Sequence, residues 1–250
     1  MNTRKGMFTQ VWIVICLCLP LGSISANEHS LASSNKTLTQ AQLADVQALY
    51  TQPATTEALS ALAQQLNLQL DTRGQFIQRR HLQVLKKPLL SQGQFIFSPT
   101  QGLVWQQLRP FSTLMVLKDQ QLIQQNSQGK VQQLNAMASG SPIAQQVPRL
   151  LQAIMAGNMA ALSADFTLFM PTNYNAGTPW QLGLQAKDPQ LRASMGNITL
   201  SGDTLLRSLI ITSSQADISD YTQIQFLDAQ QGPLSTTELE LFSLGSESNQ

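Results

Sequence analysis

The sequence predicts a mainly β protein with a few helices, of the α+β class. Three observations carry this. From Gly74 onward the apolar residues recur at every second position, the period of a half-buried strand, whereas before it they recur at helical spacing. Turn residues punctuate the alternating stretches at Lys87-Pro88, Pro99, Gly102, Pro110, Asp119 and Gly129, as in a meander of antiparallel strands. The helical stretches are few and do not alternate with the strands, which argues against a parallel βαβ arrangement.

The first 26 residues are expected to be a secretory leader, the alternative being an uncleaved membrane anchor. Arg4 and Lys5 give a positive head, residues 11–22 form an apolar run too short to span a bilayer, and small residues fit cleavage after Ala26. Both cysteines, Cys16 and Cys18, fall inside this leader, so the mature chain is expected to lack disulfides, thiolate chemistry and Cys-based metal sites. Ile15 and Leu17 precede them, where a lipid-modified Cys needs a small residue. Four segments are expected: the leader 1–26, a polar and partly helical segment 27–54, a folded domain 55–244 and a disordered tail 245–250.

In the second segment Leu38, Leu43, Val46 and Leu49 stand at roughly helical spacing. A stronger helix follows, with Leu59, Leu62 and Leu66 on one stripe and Thr55 or Thr56 to cap it. In "GQFIQRRHLQVLKKP" Phe76, Gln78, Arg80, Leu82 and Val84 are expected to share a strand face. Further strands follow in "QGQFIFS", "GLVWQQL", "STLMVLKD", "QLIQQNS" and "KVQQLNAM". A helix beginning near Pro148 puts Leu151, Ile154 or Met155, Met159 and Leu162 on one face, with Gly157 as a weak point. Strands resume at 166–170, 180–187, 197–201, 205–212, 222–227 and 237–242. The abundant glutamines sit on the polar positions of strands and read as the wet face of a sheet.

The composition excludes several classes of chemistry. Beyond the leader there are two histidines, His29 near the cleavage site and His81 in a strand, so no multi-His metal site is expected. There is no H-E-x-x-H, no G-x-S-x-G and no phosphate-cradling glycine loop. Asp203, Asp217, Asp220 and Asp228 could in principle pair for glycosidase work, but they sit at turns, where Asp serves backbone hydrogen bonding. His81 is expected to be a surface strand residue. No enzyme activity and no cofactor are expected, and secretion argues against a nucleic-acid ligand. Charge is uneven. Between Asp71 and Asp119 lie Arg73, Arg79, Arg80, Lys86, Lys87, Arg109 and Lys118 with no acidic residue, while from Gly157 onward three basic residues face nine acidic ones. The basic half could meet anionic headgroups or an acidic partner; two solvated faces of opposite bias explain it as well.

A sheet of about a dozen strands must curl or close, and the resulting interior is too wide for its own side chains to fill. Phe95, Phe97 and Trp105 would line the sheet side of such a space, and Leu151, Met155, Met159 and Leu162 the helix side. The same residues serve equally as ordinary core, which periodicity alone favours.

The stretch "RGQFIQRRHLQVLKKPLLSQGQFIFSPTQGLVWQQLRPFSTLMVL" resembles the periplasmic outer-membrane lipoprotein carrier family of LolA. Phe76-x-Gln78, Gly93 before an alternating strand, Leu103-x-Trp105 and Pro110 carry the likeness, with "WQLGLQAKD", "LRSLIIT" and "DYTQIQF" further on. The resemblance implies a curved, incomplete antiparallel β-barrel of about eleven strands covered by two or three helices. It also implies a hydrophobic cavity that shelters acyl chains of a lipidated cargo. On that basis the candidate ligand-binding residues are Phe76, Phe95, Phe97, Leu103, Trp105, Phe111, Leu114, Leu151, Ile154, Met155, Met159 and Leu162. The implied partners are a lipoprotein or lipid cargo, an inner-membrane donor and an outer-membrane acceptor, and the implied form is a monomer in the periplasm. The family's carriers keep an Arg-Pro pair that helps hold the lid helices closed; this chain has Ser98-Pro99 instead, which points to a divergent member. A glycolipid or polyene-type cargo, or a scaffold without a ligand, are the alternatives.

Overall fold

The computed structural model describes residues 38–66, 70–119, 121–134, 153, 156–212 and 220–244. The leader, Pro148, Leu151, Ile154, Met155 and the tail 245–250 lie outside the described residues.

One antiparallel sheet dominates. Its strands are β1 Thr72–His81, β2 Leu89–Ser98, β3 Gly102–Arg109, β4 Thr113–Lys118, β5 Gln121–Gln125, β6 Val131–Leu134, β7 Phe166–Phe169, β8 Trp180–Ala186, β9 Asn197–Gly202, β10 Leu206–Thr212 and β11 Tyr221–Gln231. The spatial order is β6-β5-β4-β3-β2-β1-β11-β10-β9-β8-β7. Two meanders, β1 to β6 and β7 to β11, therefore join in the middle through β1 and β11. The sheet curves and stays open, with β6 and β7 at its edges, as the incomplete barrel implied by the resemblance.

Five described helices pack on the two faces: α1 Gln40–Ala48, α2 Thr56–Gln65, α3 Met159–Asp165, α4 Pro189–Met195 and α5 Thr236–Leu241. The inner face receives α2, α3 and α4. Leu62 and Leu66 of the α2 segment, Met159 and Leu162 of α3 and Leu191 of α4 share one buried cluster with Phe76, Phe95, Leu182, Leu184, Ile198, Leu200, Leu209, Ile224 and Phe226 from the strands. Alternation makes this possible, because Leu182 faces Leu200, Leu200 faces Leu209 and Leu209 faces Ile224 along one row of the sheet. Helix α2 starts where expected: the Thr55 side chain accepts from the Ala58 N–H at 3.2 Å.

At the far end of α2, Gln65 ties the helix to two loops. Its amide nitrogen donates to the Thr178 carbonyl (2.9 Å) and the Asp203 carbonyl (3.0 Å). Its oxygen accepts from Tyr174 Oη (2.7 Å) and the Gly177 N–H (2.8 Å). Ser98, at the place of the family's arginine, instead caps the β2–β3 turn by accepting from the Gln101 N–H at 3.2 Å.

The outer face carries α1 and α5. Helix α1 opens with a capping box between Thr39 and Gln42 and buries Val46 and Leu49. A 3-10 turn, Leu49–Thr51, follows and lays Tyr50 over Gly183. A Cβ there would stand 3.0 Å from the Tyr50 ring, so glycine makes the space that the ring occupies. The Tyr50 hydroxyl meets Thr199 Oγ1 at 2.9 Å, and the ring tilts against Phe169 at 5.1 Å. Burial pushes this phenol well above its ordinary pKa. Helix α5 brings Phe242 against Ile96, Val104 and Val116.

Several expected elements differ. The stretch 237–242 is helix α5, not a strand, because the Ser235–Glu238 capping box satisfies the first-turn donors. Helix α4 was not expected. Asp188 caps it, Pro189 fits its first turn and Gly196, at φ 70, follows its end. Strand β1 stops at His81, so Leu82 and Val84 are in the connection rather than on the strand face. Gly157, at φ 60, lies in a turn, and the described helix begins after it with Asn158 as its cap; the earlier part of the expected helix lies outside the described residues apart from Ala153 and Ala156. His81 is half-buried rather than a plain surface residue, stacked on Tyr221 with ring centroids 4.4 Å apart. Two of the four aspartates serve turns: Asp203 accepts from the Leu205 N–H at 3.1 Å, and Asp220 from the Gln83 N–H at 2.7 Å; Asp228 lies within β11 at φ 50, and Asp217 is outside the described residues.

Replacing Gln65 with alanine removes four hydrogen bonds at once, and a loss of about 2 kcal/mol or more of stability is expected by denaturant unfolding. An unchanged midpoint would show that α2 is held by its apolar stripe alone. The raised Tyr50 pKa also fixes a pH response. The unfolded phenol ionises near pH 10 while the folded one keeps its proton, so stability falls as pH rises above about 10. Thermal melts of Tyr50→Phe should lose part of that alkaline slope; Tyr174 and Tyr221, also raised by burial, supply the remainder.

Candidate functional site

The inner face of β1 to β5 is a continuous apolar wall. Register assigns its rows. Phe97 faces Leu103, Leu103 faces Leu117 and Leu117 faces Leu122. In the next row Phe95 faces Trp105 and Trp105 faces Met115. Phe76, in β1, faces Gly93 on one side and Phe226 on the other.

Trp105 is the hinge of this wall. It stacks on Phe76 with centroids 3.8 Å apart and planes at 24°, and meets Phe226 edge-on at 6.3 Å. Phe95 in turn meets Phe226 at 5.2 Å and 83°. The two edge-on contacts with Phe226 are a favoured aromatic arrangement. A Cβ on Gly93 would run into the Gln106 carbonyl, so β2 and β3 approach beside this stack only through glycine. Trp105 packs against both inner-face clusters. One is the helix-covered cluster. The other consists of Phe97, Leu103, Met115, Leu117 and Leu122, and among the described residues no helix side chain belongs to it.

The candidate residues distribute as follows. Phe76, Phe95, Met159 and Leu162 lie together in the helix-covered cluster. Phe97 and Leu103 lie in the second, with Trp105 joining the two. Leu114 is on the opposite face, packed with Ile96, Val104, Val116 and Phe242 around α5, so it cannot line the inner wall. Phe111 is half-buried in the β3–β4 turn, where its carbonyl accepts from Gln107 Nε2 at 3.0 Å, and belongs to neither inner cluster. Leu151, Ile154 and Met155 fall outside the described residues.

Met115, Leu117, Leu122 and Phe226 are wall residues that sequence reasoning did not single out. The stretch "STLMVLKD" is apolar at every position from Leu114 to Leu117, so alternation cannot tell its two faces apart. Pairing can: Met115 opposite Trp105 fixes the parity.

The wall is chemically quiet. No carboxylate or imidazole stands on the inner rows of β1 to β5, whose polar members are Thr72, Gln78, Arg80, Ser91, Gln107, Thr113 and Gln124. These polar residues, apart from Thr72, gather toward the hairpin end of the strands, so the face changes from aromatic and aliphatic to amide and hydroxyl along its length. Among the described residues no three His, Cys, Asp or Glu side chains gather as a metal site. No described helix is long and apolar enough to cross a membrane. The described inner rows can bury hydrocarbon.

Comparison with known proteins gives one family and several distant structures. The sequence pattern described as "Outer membrane lipoprotein carrier protein LolA-like" matches residues 51–222. No curated protein matches the chain. Among solved structures, a LolA superfamily protein from Nitrosomonas europaea is 10% identical, with 74% of this chain and 97% of that one covered and a TM-score of 0.41. A DUF1329 family protein from Desulfovibrio piger is 8% identical over 80% of this chain and 100% of that one, with a TM-score of 0.43. LprF from Mycobacterium bovis is 11% identical over 74% and 97%, with a TM-score of 0.35. The match over residues 51–222, well over half of the sequence, makes this chain a member of the LolA-like outer membrane lipoprotein carrier family.

Proposed function

We propose that the protein is a periplasmic carrier that holds the acyl chains of a lipoprotein or lipid against the inner wall of its sheet and hands them on toward the outer membrane. The observation that carries this is the second inner-face cluster. Phe97, Leu103, Met115, Leu117 and Leu122 form a buried apolar cluster on the inner sheet face, separate from the helix-covered core, and the half-buried Trp105 packs against both. The leader at residues 1–26 supplies export, and the family supplies the precedent of a carrier.

The physics of the task is hydrocarbon transfer. Each methylene taken from water is worth about 0.8 kcal/mol, so a multi-chain anchor does not cross an aqueous compartment unaided. A wall of Leu, Met and Phe offers that transfer without directional chemistry. Met115 adds a flexible thioether that adapts to the shape of a guest. The amides and hydroxyls of Gln107, Thr113, Ser91 and Gln124 stand beside the wall where the polar end of an amphiphile would rest. With no reactive group to drive release, unloading falls to a membrane acceptor that offers the chains a better site, just as loading falls to an inner-membrane donor.

Binding of straight-chain fatty acids to the purified protein should tighten by roughly fourfold per added methylene until the wall is filled, as titration with a fluorescent acid and displacement by non-fluorescent ones would read. An affinity independent of chain length would remove the carrier reading. A polyene fatty acid bound at this wall should also take energy from Trp105. In Trp105→Phe that transfer should fall sharply while the acid still binds, because the ring is kept. Transfer unchanged in this variant would locate the ligand elsewhere.

A further inference from the structure

The tip of the β1–β2 hairpin holds apolar side chains in water. Val84 is 88% exposed and Leu85 42%; Leu90 and Leu108 beside them are each 48% exposed. They gather at one end of the sheet. The Leu85 N–H donates to the Leu82 carbonyl at 2.9 Å and closes the tip. Leu90 pairs with Arg79 at the start of β2, and Leu108 precedes Arg109, which pairs with Gln92 in the same strand. Lys86, Lys87 and Arg109 are exposed at this end. Among the described residues, Asp220 accepts from the Gln83 N–H at 2.7 Å and fixes the root of the hairpin. Nothing in the packing requires this composition, since β1 has already ended at His81.

We propose that this tip docks on an anionic lipid bilayer. Val84 and Leu85 enter the boundary between headgroups and acyl chains, while Lys86, Lys87 and Arg109 meet lipid phosphates. Charge complementarity decides the partner: three basic side chains, Lys86, Lys87 and Arg109, are exposed at the end that carries the apolar tip. Shape argues the same way. A protrusion ending in two apolar side chains falls far short of the roughly 800 Å² per partner that a stable protein interface buries. A soft, anionic, apolar-cored surface accepts it without a matching pocket. The docking needs only the tip and holds independently of what the inner wall binds.

The test is vesicle co-sedimentation of the mature protein. Binding is expected to vesicles of phosphatidylcholine mixed with phosphatidylglycerol, weak binding to phosphatidylcholine alone, and loss of binding at high salt. The double variant Lys86→Glu with Lys87→Glu should lower the partition coefficient roughly tenfold or more. Val84→Asp with Leu85→Asp should abolish binding, with an unchanged thermal melt because these side chains support no core. As a second readout, an environment-sensitive dye on Val84→Cys should shift to the blue on anionic vesicles. Equal binding to neutral and anionic vesicles, no binding to either, an unshifted dye, or full retention in the Asp variant overturns the proposal. So does capture by an acidic envelope protein without affinity for vesicles.

Discussion

The stack of Trp105 on Phe76 is the contact on which the inner face depends. It joins β3 to β1 across β2, at the point where the first meander meets the second through the β1–β11 pairing. On one side of it the helices close over Leu182, Leu184, Ile198 and Leu200. On the other side the wall continues through Leu103 and Leu117 to Leu122. The same ring thus links two buried clusters of the inner face. Gly93 makes the meeting possible by leaving β2 and β3 free to approach beside the stack. The absence of acidic or imidazole groups on these rows follows from the same requirement, since an unpaired charge against hydrocarbon would cost several kcal/mol.

The outer face solves a different problem. A large curved sheet exposes its second side, and here two short helices from the chain's extremities cover parts of it. Helix α1 and Tyr50 lie over β8 and β9, fitted to Gly183. Helix α5 and Phe242 lie over β2 to β4. The ion pair between Arg73 and Glu238, at 3.4 Å and partly exposed, contributes little to holding α5, so Phe242 carries that contact. The remainder of this face is amide-rich. Gln94 and Gln106 bond across β2 and β3 at 2.7 Å, and Gln133 and Gln121 across β5 and β6 at 2.8 Å. The glutamines of the alternating pattern are thus a ladder of cross-strand hydrogen bonds as well as a wet surface.

Much of this was legible in the sequence, for reasons that can be named. The β meander followed from period-2 alternation broken by Gly, Pro and Asp, and the two N-terminal helices from leucine spacing, the second behind a threonine cap. What escaped were places where two local signals compete. In "STTELELF" the leucines alternate as in a strand, while Ser235 and Glu238 specify a helix start; satisfying the first-turn donors prevails. Alternation also runs on past His81 to Leu82 and Val84, yet pairing with β2 begins at Leu89 opposite Arg80, and a strand without a partner is no strand. The candidate wall suffered one parity error. Leu114 belongs to the outer face and Met115 to the inner one, which no uniform apolar run can reveal until Trp105 is placed opposite it.

The central position of β1 and β11 has a consequence for how the chain matures. The first and last of the described strands are neighbours in the middle of the sheet, separated by about 150 residues of sequence. Neither meander holds the complete aromatic stack with Phe226 until Tyr221–Gln231 has been made. A nascent or translocating chain therefore remains an unjoined ribbon until its C-terminal end is available. Such a topology delays closure of the sheet, and completion of its central aromatic stack, until the C-terminal strand is available.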